Sequence, residues 1–218
     1  MSGIILVGMA IVLLFGLIAA EKSGVPGRIL LFKTPLSFLF IIAWWLLPYP
    51  NKLAFTLVGA ALTCCLCGDI LLAFGSRVAF LLGLVSFFMG HVLFASIFFI
   101  MGTTGTAMAL GAMLMVVSAG IIWRWLAPHL GDMTTPVLAY LVVISIMVCG
   151  AWSILSNTHI PHQARVGILI GASLFYLSDI AVARQRFVTS DHRNRMVGLP
   201  LYYGAQFILV FSSSWIPA

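Results

Sequence analysis

A chain of 218 residues that is 62% hydrophobic and only 7% charged is not an ordinary soluble domain, which carries about 25% charged residues. The mean hydropathy of +1.17 excludes a globular core that hides its apolar side chains from water, so a lipid bilayer must solvate most of the surface. The formal charge of +6 does not indicate a nucleic-acid partner, because the basic residues lie singly between apolar runs.

Apolar runs separated by short polar or Gly/Pro breaks predict eight membrane-spanning helices. The first run has no basic segment before it, which favours a membrane helix over a cleaved signal peptide. In chain order the predicted spans are 3–20, 29–47, 53–74, 78–101, 106–126, 135–155, 164–183 and 197–215. The sequence therefore predicts an all-α integral membrane protein, with residues 1–218 in a single transmembrane domain.

Basic residues concentrate on one side of these spans. The breaks after the odd-numbered spans contain or adjoin Lys22, Arg28, Arg77, Arg124, Arg184, Arg186, Arg193 and Arg195. The breaks after the even-numbered spans offer only Lys52 and Arg165. Because cytoplasmic loops are enriched in Lys and Arg, we expect the first set on the cytoplasmic side and both termini on the other side. The short loops favour a bacterial inner membrane.

The two halves of the chain share a weak repeat. Gly68-Asp69-Ile70 in the third span resembles Ser178-Asp179-Ile180 in the seventh, and each is followed by apolar residues, an alanine and an arginine. Thr34-Pro35 in the second span likewise matches Thr135-Pro136 in the sixth. Matching elements lie four spans apart and run the same way, which predicts two parallel four-helix halves with a site between them.

Ionisable side chains lie inside several predicted spans, where a charged group costs about 2.5–3.5 kcal/mol to insert. At a helix rise of ~1.5 Å per residue, Lys33, Asp69 and Asp179 lie roughly 7–9 Å in from the predicted cytoplasmic face. His91 lies deeper, about 20 Å in. Such groups persist in a membrane when they are paired, solvated in a cavity or functional. We therefore expect a polar pocket that opens towards the cytoplasmic leaflet.

Further polar side chains share helical faces with these groups. Tyr176 lies three residues before Asp179, and Tyr202 lies four residues before Gln206. Any single tyrosine is more typical of a membrane interface than of a site. Together they predict the following substrate-binding residues: Lys33, His91, Tyr140, Tyr176, Tyr202, Tyr203 and Gln206.

Two carboxyls in one low-dielectric pocket can hold different protonation states. One remains a protonated acid while the other, near Lys33, remains ionised, which is the arrangement that acid/base hydrolysis needs. Asp69 and Asp179 are therefore the candidate catalytic pair. The alternative is a Lys33–Asp pair that only holds helices together.

Other chemistries lack their sequence signals. The chain has no G-x-S-x-G motif and no phosphate-binding glycine loop. Only His91 among the histidines lies inside a span, whereas a zinc hydrolase needs three or four protein ligands. Cys64 and Cys67 have CxxC spacing, but no second pair accompanies them. We therefore expect no metal site.

The motifs together resemble the YhhN family of multi-pass membrane proteins, which includes the lysoplasmalogenases. The resemblance covers nearly the whole chain in order and spacing. It rests on Lys33-Thr34-Pro35-Leu36, Gly68-Asp69, Gly90-His91, Tyr176-Leu177-Ser178-Asp179 and Tyr203-Gly204-Ala205-Gln206. This chain has Lys33-Thr34-Pro35 where the family more usually has Lys-Pro.

The resemblance implies a hydrolase that cleaves the vinyl ether bond of a lysophospholipid, lysoplasmalogen. The products would be a fatty aldehyde and a glycerophospho-ethanolamine or -choline, and no metal or organic cofactor is required. Asp69 and Asp179 can act as the acid and the carboxylate, in either order. Lys33, Tyr176 or Gln206 could bind the phosphate or orient the acid.

Two other classes of function stay open on the residues alone. A small proton-coupled transporter or lipid-binding membrane protein would use the same Asp pair, and the parallel halves suit it. A structural membrane protein without a substrate would need the pair for stability only. The sequence leaves the oligomeric state undecided.

Overall fold

Eight long α-helices account for nearly all of the chain in a computed structural model that describes residues 2–218. All eight are long and apolar enough to cross a membrane, and no strand occurs within these residues. The prediction of an all-α integral membrane protein with eight spans is therefore confirmed. The helices are α1 (Ser2–Glu21), α2 (Pro26–Leu46), α3 (Lys52–Leu72), α4 (Arg77–Met101), α5 (Thr106–Leu126), α6 (Thr134–Leu155), α7 (His162–Ala183) and α8 (His192–Ser213).

Large apolar side chains cover the outside of the bundle. Trp45 is 68% exposed and Val116 is 73% exposed, which is unfavourable in water but stable against lipid. α5 buries only Gly111 and Leu126 of its own residues. It packs mainly on α6 and therefore lies at the edge of the bundle, next to the bilayer.

The same order of neighbours occurs in both halves of the chain. The first helix of each half packs on the second, the second on the third, and the third most closely on the fourth. Between the halves, α4 packs on α6 and α8 packs on α2. These equivalent contacts are the ones that two parallel four-helix halves require.

Glycines allow the third and fourth helices of each half to approach closely. A Cβ atom at Gly90 in α4 would lie 3.3 Å from the carbonyl oxygen of Ala61 in α3. A Cβ atom at Gly171 in α7 would lie 3.3 Å from the carbonyl oxygen of Ala205 in α8. Small residues at such crossings replace side-chain bulk with backbone contact. These two crossings are also the most extensive helix contacts of the bundle.

The last helix begins earlier than the sequence predicted. The polar stretch before residue 197 was interpreted as a loop, but Asp191 caps the helix by accepting a hydrogen bond from the Arg193 backbone N–H. Residues Arg184–Val188 extend α7 as a π-helical turn. Arg195 therefore lies on the first turns of α8 and not in a loop, which places its side chain at the mouth of the cavities described below.

Candidate active site

Three helices bring polar side chains together around Asp69. Its Oδ1 lies 3.3 Å from the Lys33 Nζ, and its Oδ2 accepts hydrogen bonds from Ser37 Oγ at 2.6 Å and Tyr202 OH at 2.7 Å. Lys33 and Ser37 lie four residues apart, so both face α3 from the same side of α2. The Asp69 side chain is only 2% exposed, and the three donors offset the cost of burying its charge.

Asp179 belongs to a second group built on α4, α6 and α7. Its Oδ2 accepts a hydrogen bond from Tyr140 OH at 2.8 Å and lies 3.2 Å from His91 Nε2. The His91 Nε2 also lies 2.8 Å from Tyr140 OH. A protonated Nε2 donates to the carboxylate, and a neutral Nε2 accepts from the carboxylic acid, so the pair can exchange one proton. The Asp179 side chain is 17% exposed, unlike that of Asp69.

Both carboxyls line one cavity, which we call the central cavity. It measures about 820 Å³ including its open mouth. Lys33, Tyr140 and Tyr202 also line it. The rest of the wall is mostly apolar and includes Leu72, Phe80, Leu84, Phe87 and Leu199. The cavity therefore combines two differently partnered carboxyls with a wall suited to a lipid.

A smaller space, the side cavity, lies between α5, α6 and α7. It measures about 350 Å³ and shares Tyr140 and Asp179 with the central cavity. Apart from these two residues and Tyr176, its wall is apolar, and it includes Ile122, Leu126, Leu141, Ile144 and Ile180. The Asp179 carboxyl thus lies where the central cavity, which holds both carboxyls, meets the side cavity.

The other predicted binding residues lie outside the central cavity. His91 is fully buried behind Asp179. Tyr203 OH lies 3.1 Å from Ser37 Oγ, one contact behind Asp69. Tyr176 OH lies 3.1 Å from Ser118 Oγ on α5 and lines the side cavity. Gln206 is completely buried one helical turn beyond Tyr202, where α8 is tightly packed. Helical spacing identified shared faces, but it does not determine where a cavity ends.

Sequence reasoning missed two residues of these groups. Ser37 donates the shortest hydrogen bond to Asp69, and its position four residues after Lys33 was the available signal. Arg195 lines the mouth of the central cavity, and it was missed because the start of α8 was interpreted as a loop. The two groups together offer carboxyl, imidazole, phenol and ammonium groups, which bind and transfer protons. Within residues 2–218, no cluster of three or more His, Cys, Asp or Glu side chains is placed to hold a metal ion.

Comparisons with known proteins give consistent matches. A model of the YhhN family matches residues 29–213, which include all the partners of both carboxyls. The lysoplasmalogenase TMEM86A of Bos taurus is 28% identical over 151 residues, covering 67% of this chain and 60% of the relative. Lysoplasmalogenases of Mycobacterium bovis and Mycobacterium tuberculosis are each 29% identical over 141 residues, covering 61% of this chain and 49% of each relative.

The matched relatives are longer than the protein described here. The chain spans between about half and three fifths of the length of these curated relatives. No solved structure matches the chain.

Proposed function

The chain belongs to the YhhN family, and on that premise we propose that it is a membrane hydrolase that cleaves the vinyl ether bond of lysoplasmalogens. Relatives named lysoplasmalogenase support the substrate class. The observation that carries the proposal is one apolar cavity with two carboxyls, of which one faces an ammonium and the other an imidazole. We assign the activity to one transmembrane domain, residues 1–218.

The chemistry of a vinyl ether defines what the site must supply. A proton is added to the carbon β to the ether oxygen, which leaves an oxocarbenium ion. Water then adds to the cation and gives a hemiacetal, which collapses to a fatty aldehyde and the glycerol hydroxyl of the head-group product. The reaction therefore needs an acid, a carboxylate that stabilises the cation, and a way to return both to their starting states.

Asp179 is the acid in this proposal, and Asp69 is the carboxylate. The Asp179 carboxyl lines the cavity, is 17% exposed and lies 3.2 Å from His91 Nε2, whereas Lys33 compensates the charge of Asp69. Asp179 protonates the β-carbon, and Asp69 removes a proton from the attacking water. During collapse, Asp69 protonates the leaving glycerol oxygen and Asp179 takes the proton of the hemiacetal hydroxyl. One water is consumed, and both residues regain their starting protonation.

The two tyrosine hydroxyls position the carboxyls. Tyr202 donates to Asp69 and Tyr140 donates to Asp179, each to the Oδ2 atom. Each bond fixes one oxygen, so the Oδ1 atom of Asp179 remains available to the substrate. Holding the acid in one orientation lowers the entropy lost in reaching the transition state.

The side cavity is the proposed slot for the alkenyl chain. Its wall is apolar, and it meets the central cavity at Asp179. A chain lying there places its first carbons, which form the vinyl ether, beside the acid. α5 buries little of its surface, so a lipid can approach from the bilayer along the α5–α7 side. This position explains why an acid lies at the junction of the two cavities.

We place the cavity mouth at the cytoplasmic leaflet of a bacterial inner membrane, with both termini on the opposite side. The eight basic residues near the odd-numbered loops support this orientation. A lysophospholipid of the cytoplasmic leaflet would then present its head group to the mouth and its chain to the side cavity.

Aldehyde release from purified protein in detergent tests the function. We expect aldehyde from a 1-alkenyl lysophospholipid and none from the 1-alkyl analogue, which has the same shape but cannot be protonated at carbon. Wild type that releases no aldehyde from either ethanolamine or choline substrates, although it is folded, would overturn the proposal.

The equivalent contacts of the two halves also favour a second candidate, a proton-coupled lipid transporter. It predicts uptake of protons with intact lysolipid in proteoliposomes. Proton movement without any aldehyde product would favour this candidate over the hydrolase.

A further inference from the structure

A third cavity, which we call the vestibule, opens on the face that carries the basic residues. It measures about 1220 Å³ including its mouth and shares Leu72 and Arg195 with the central cavity. Arg195 therefore stands at the junction of the two spaces. The polar side chains of its wall are Glu21, Lys22, Gln185, Ser190, His192 and Arg195.

The wall of the vestibule carries two basic side chains, Lys22 and Arg195, and one carboxylate, Glu21. Arg195 Nε lies 3.5 Å from Glu21 Oε2, and the Glu21 side chain is 8% exposed. The Arg195 side chain is 27% exposed, so much of its guanidinium can contact a ligand. His192 Nε2 is buried and has no hydrogen-bond partner among the described residues. A guanidinium binds phosphate oxygens through two parallel N–H donors, which a single carboxylate contact leaves available.

We infer that the vestibule binds the zwitterionic head group of the lysophospholipid, with Arg195 as the phosphate ligand and Glu21 as the ligand of the ammonium group. Lys22 and His192 flank the phosphate. This inference rests on the proposed function for the identity of the lipid. It also replaces the expectation that Lys33 binds the phosphate, because the Lys33 ammonium is buried against Asp69.

The distance along α8 suits this assignment. Arg195 and Tyr202 lie seven residues apart on α8, about 10 Å at the helical rise. Tyr202 marks the level of Asp69, to which it is hydrogen-bonded. The glycerol backbone of the lipid and the extended Arg195 side chain together span this distance along α8. One lipid can therefore reach the carboxyls with its ether and Arg195 with its phosphate.

The Glu21–Arg195 pair makes the vestibule selective. When Arg195 turns to a phosphate, Glu21 loses its partner and needs another cation. An ethanolamine or choline head group supplies that cation, whereas a lysolipid that ends in a bare phosphate does not. Glu21 and Lys22 precede residues 29–213, the part of the chain that matches the family model.

Binding of a substrate analogue tests the site without any catalysis. The probe is 1-alkyl-lysophosphoethanolamine, which has the phosphate and the amine but cannot be cleaved. Arg195→Gln in the full-length protein in nonionic detergent should raise the Kd about tenfold to a hundredfold, the usual range for a lost charge-assisted hydrogen bond. Arg193→Gln is the matched control: Arg193 is exposed, lies outside all three cavities, and its replacement should leave the Kd unchanged.

Two further binding measurements distinguish a specific head-group site from nonspecific attraction of the lipid probe. Free glycerophosphoethanolamine should compete with the probe for binding to wild type but not for binding to Arg195→Gln. If the probe is held only by attraction to a lipid surface, the free head group should not compete at all. Glu21→Gln should reduce the preference for the ethanolamine probe over 1-alkyl-lysophosphatidate. If Arg195→Gln is unstable, Glu21→Gln/Arg195→Gln removes both charges of the pair and should show the same weak binding.

Kinetics distinguish this inference from the hydrolase proposal. With a lysoplasmalogen, Arg195→Gln should raise KM and leave kcat nearly unchanged. With 1-alkenylglycerol, which lacks the phosphate, Arg195→Gln should change KM far less than it does with the lysoplasmalogen. Unchanged binding of the alkyl probe by folded Arg195→Gln overturns the head-group site even if hydrolysis occurs. If Arg195→Gln weakens binding of the alkyl probe but wild type never releases aldehyde, the head-group site stands. Only the hydrolase proposal is then overturned.

Discussion

His91 contacts Asp179 and Tyr202 contacts Asp69, so the fourth helix of each half holds the carboxyl group of the other half. The spacing is nearly the same in both halves: His91 lies 22 residues after Asp69, and Tyr202 lies 23 residues after Asp179. The two carboxyls therefore occupy corresponding positions on the third and seventh helices, within the matched Gly68-Asp69 and Ser178-Asp179 segments.

The partners differ although the positions match. Asp69 has an ammonium and two hydroxyls, whereas Asp179 has an imidazole and one phenol. Because their hydrogen-bond partners differ, carboxyls at matching positions can hold different protonation states: one can stay ionised while the other shares a proton.

Asp179→Asn should abolish nearly all hydrolysis and leave a folded protein. Asn is close to isosteric and still accepts from Tyr140, but it cannot donate the catalytic proton. Loss of a positioned acid typically lowers the rate about 10²–10⁴-fold. Aldehyde release by the purified variant, with thermal unfolding as the control for folding, measures the effect. Near-normal turnover would remove Asp179 from the mechanism.

Asp69→Asn should also lose activity, but it should be less stable than Asp179→Asn. The substitution leaves the Lys33 ammonium buried without a counter-charge, which typically costs about 3–5 kcal/mol. Lys33→Gln/Asp69→Asn removes both charges and should recover most of the stability while staying inactive. Thermal unfolding in detergent compares the two variants. Equal stability of Asp69→Asn and wild type would mean that the Lys33–Asp69 contact is energetically unimportant.

Helical rise predicts one layer for Lys33, Asp69 and Asp179, because depth along a span depends only on residue count, and all three residues line the central cavity. It did not predict the contact of His91 with Asp179. Counting from Arg77 predicts that His91 lies about 20 Å in, deeper than Asp179, whereas its Nε2 lies 3.2 Å from the Asp179 carboxyl. The depth of a residue along its own span can be counted from the sequence. The tilt of a helix and its offset from its neighbours depend on how the helices pack.

The faces of the helices were predicted less well than their depths. Tyr176 shares a face with Asp179 as expected, but α5 lies against that face, and the hydroxyl contacts Ser118. Gln206 shares a face with Tyr202, yet the cavity ends before it. Which helix lies opposite a given face depends on contacts between distant parts of the chain, which a single sequence does not reveal.

His91→Gln should change the pH dependence of kcat as well as its size. Gln can still hydrogen-bond to Asp179 and Tyr140, but it cannot take up or release a proton. We expect kcat to fall roughly 10²-fold. We expect wild type to show a bell-shaped pH profile that reports coupled groups, and His91→Gln to lose one limb of it. A merely structural role for His91 predicts a lower kcat with an unchanged profile. Tyr140→Phe, which removes a hydrogen bond but no titrating partner at neutral pH, is the comparison.

The orientation in the membrane can be tested by single-cysteine labelling in intact cells. In a background without the four native cysteines, Ser190→Cys should react with a membrane-permeant reagent only. Lys52→Cys, on the opposite face, should also react with an impermeant reagent. The eight basic residues near the odd-numbered loops are the reason for this expectation. Impermeant labelling at position 190 would contradict the orientation.

The chain slot can be tested with two neighbouring residues of α5. Ile122 lines the side cavity, whereas Ile121 is 64% exposed on the lipid side. Ile122→Trp should fill part of the slot and exclude about two methylenes of the substrate. At about 0.8 kcal/mol for each methylene, KM for a long-chain lysoplasmalogen should rise about tenfold, while a short-chain substrate is unaffected.

Ile121→Trp is the control for that experiment, since it places the same side chain one residue away in the bilayer. It should leave the chain-length profile of KM unchanged. Because α5 buries little of its surface, both variants should fold and can be compared directly. If Ile122→Trp affects long and short substrates equally, the alkenyl chain does not occupy the side cavity. The central cavity would then have to hold the whole lipid, and Asp179 would not mark the boundary between chain and head group.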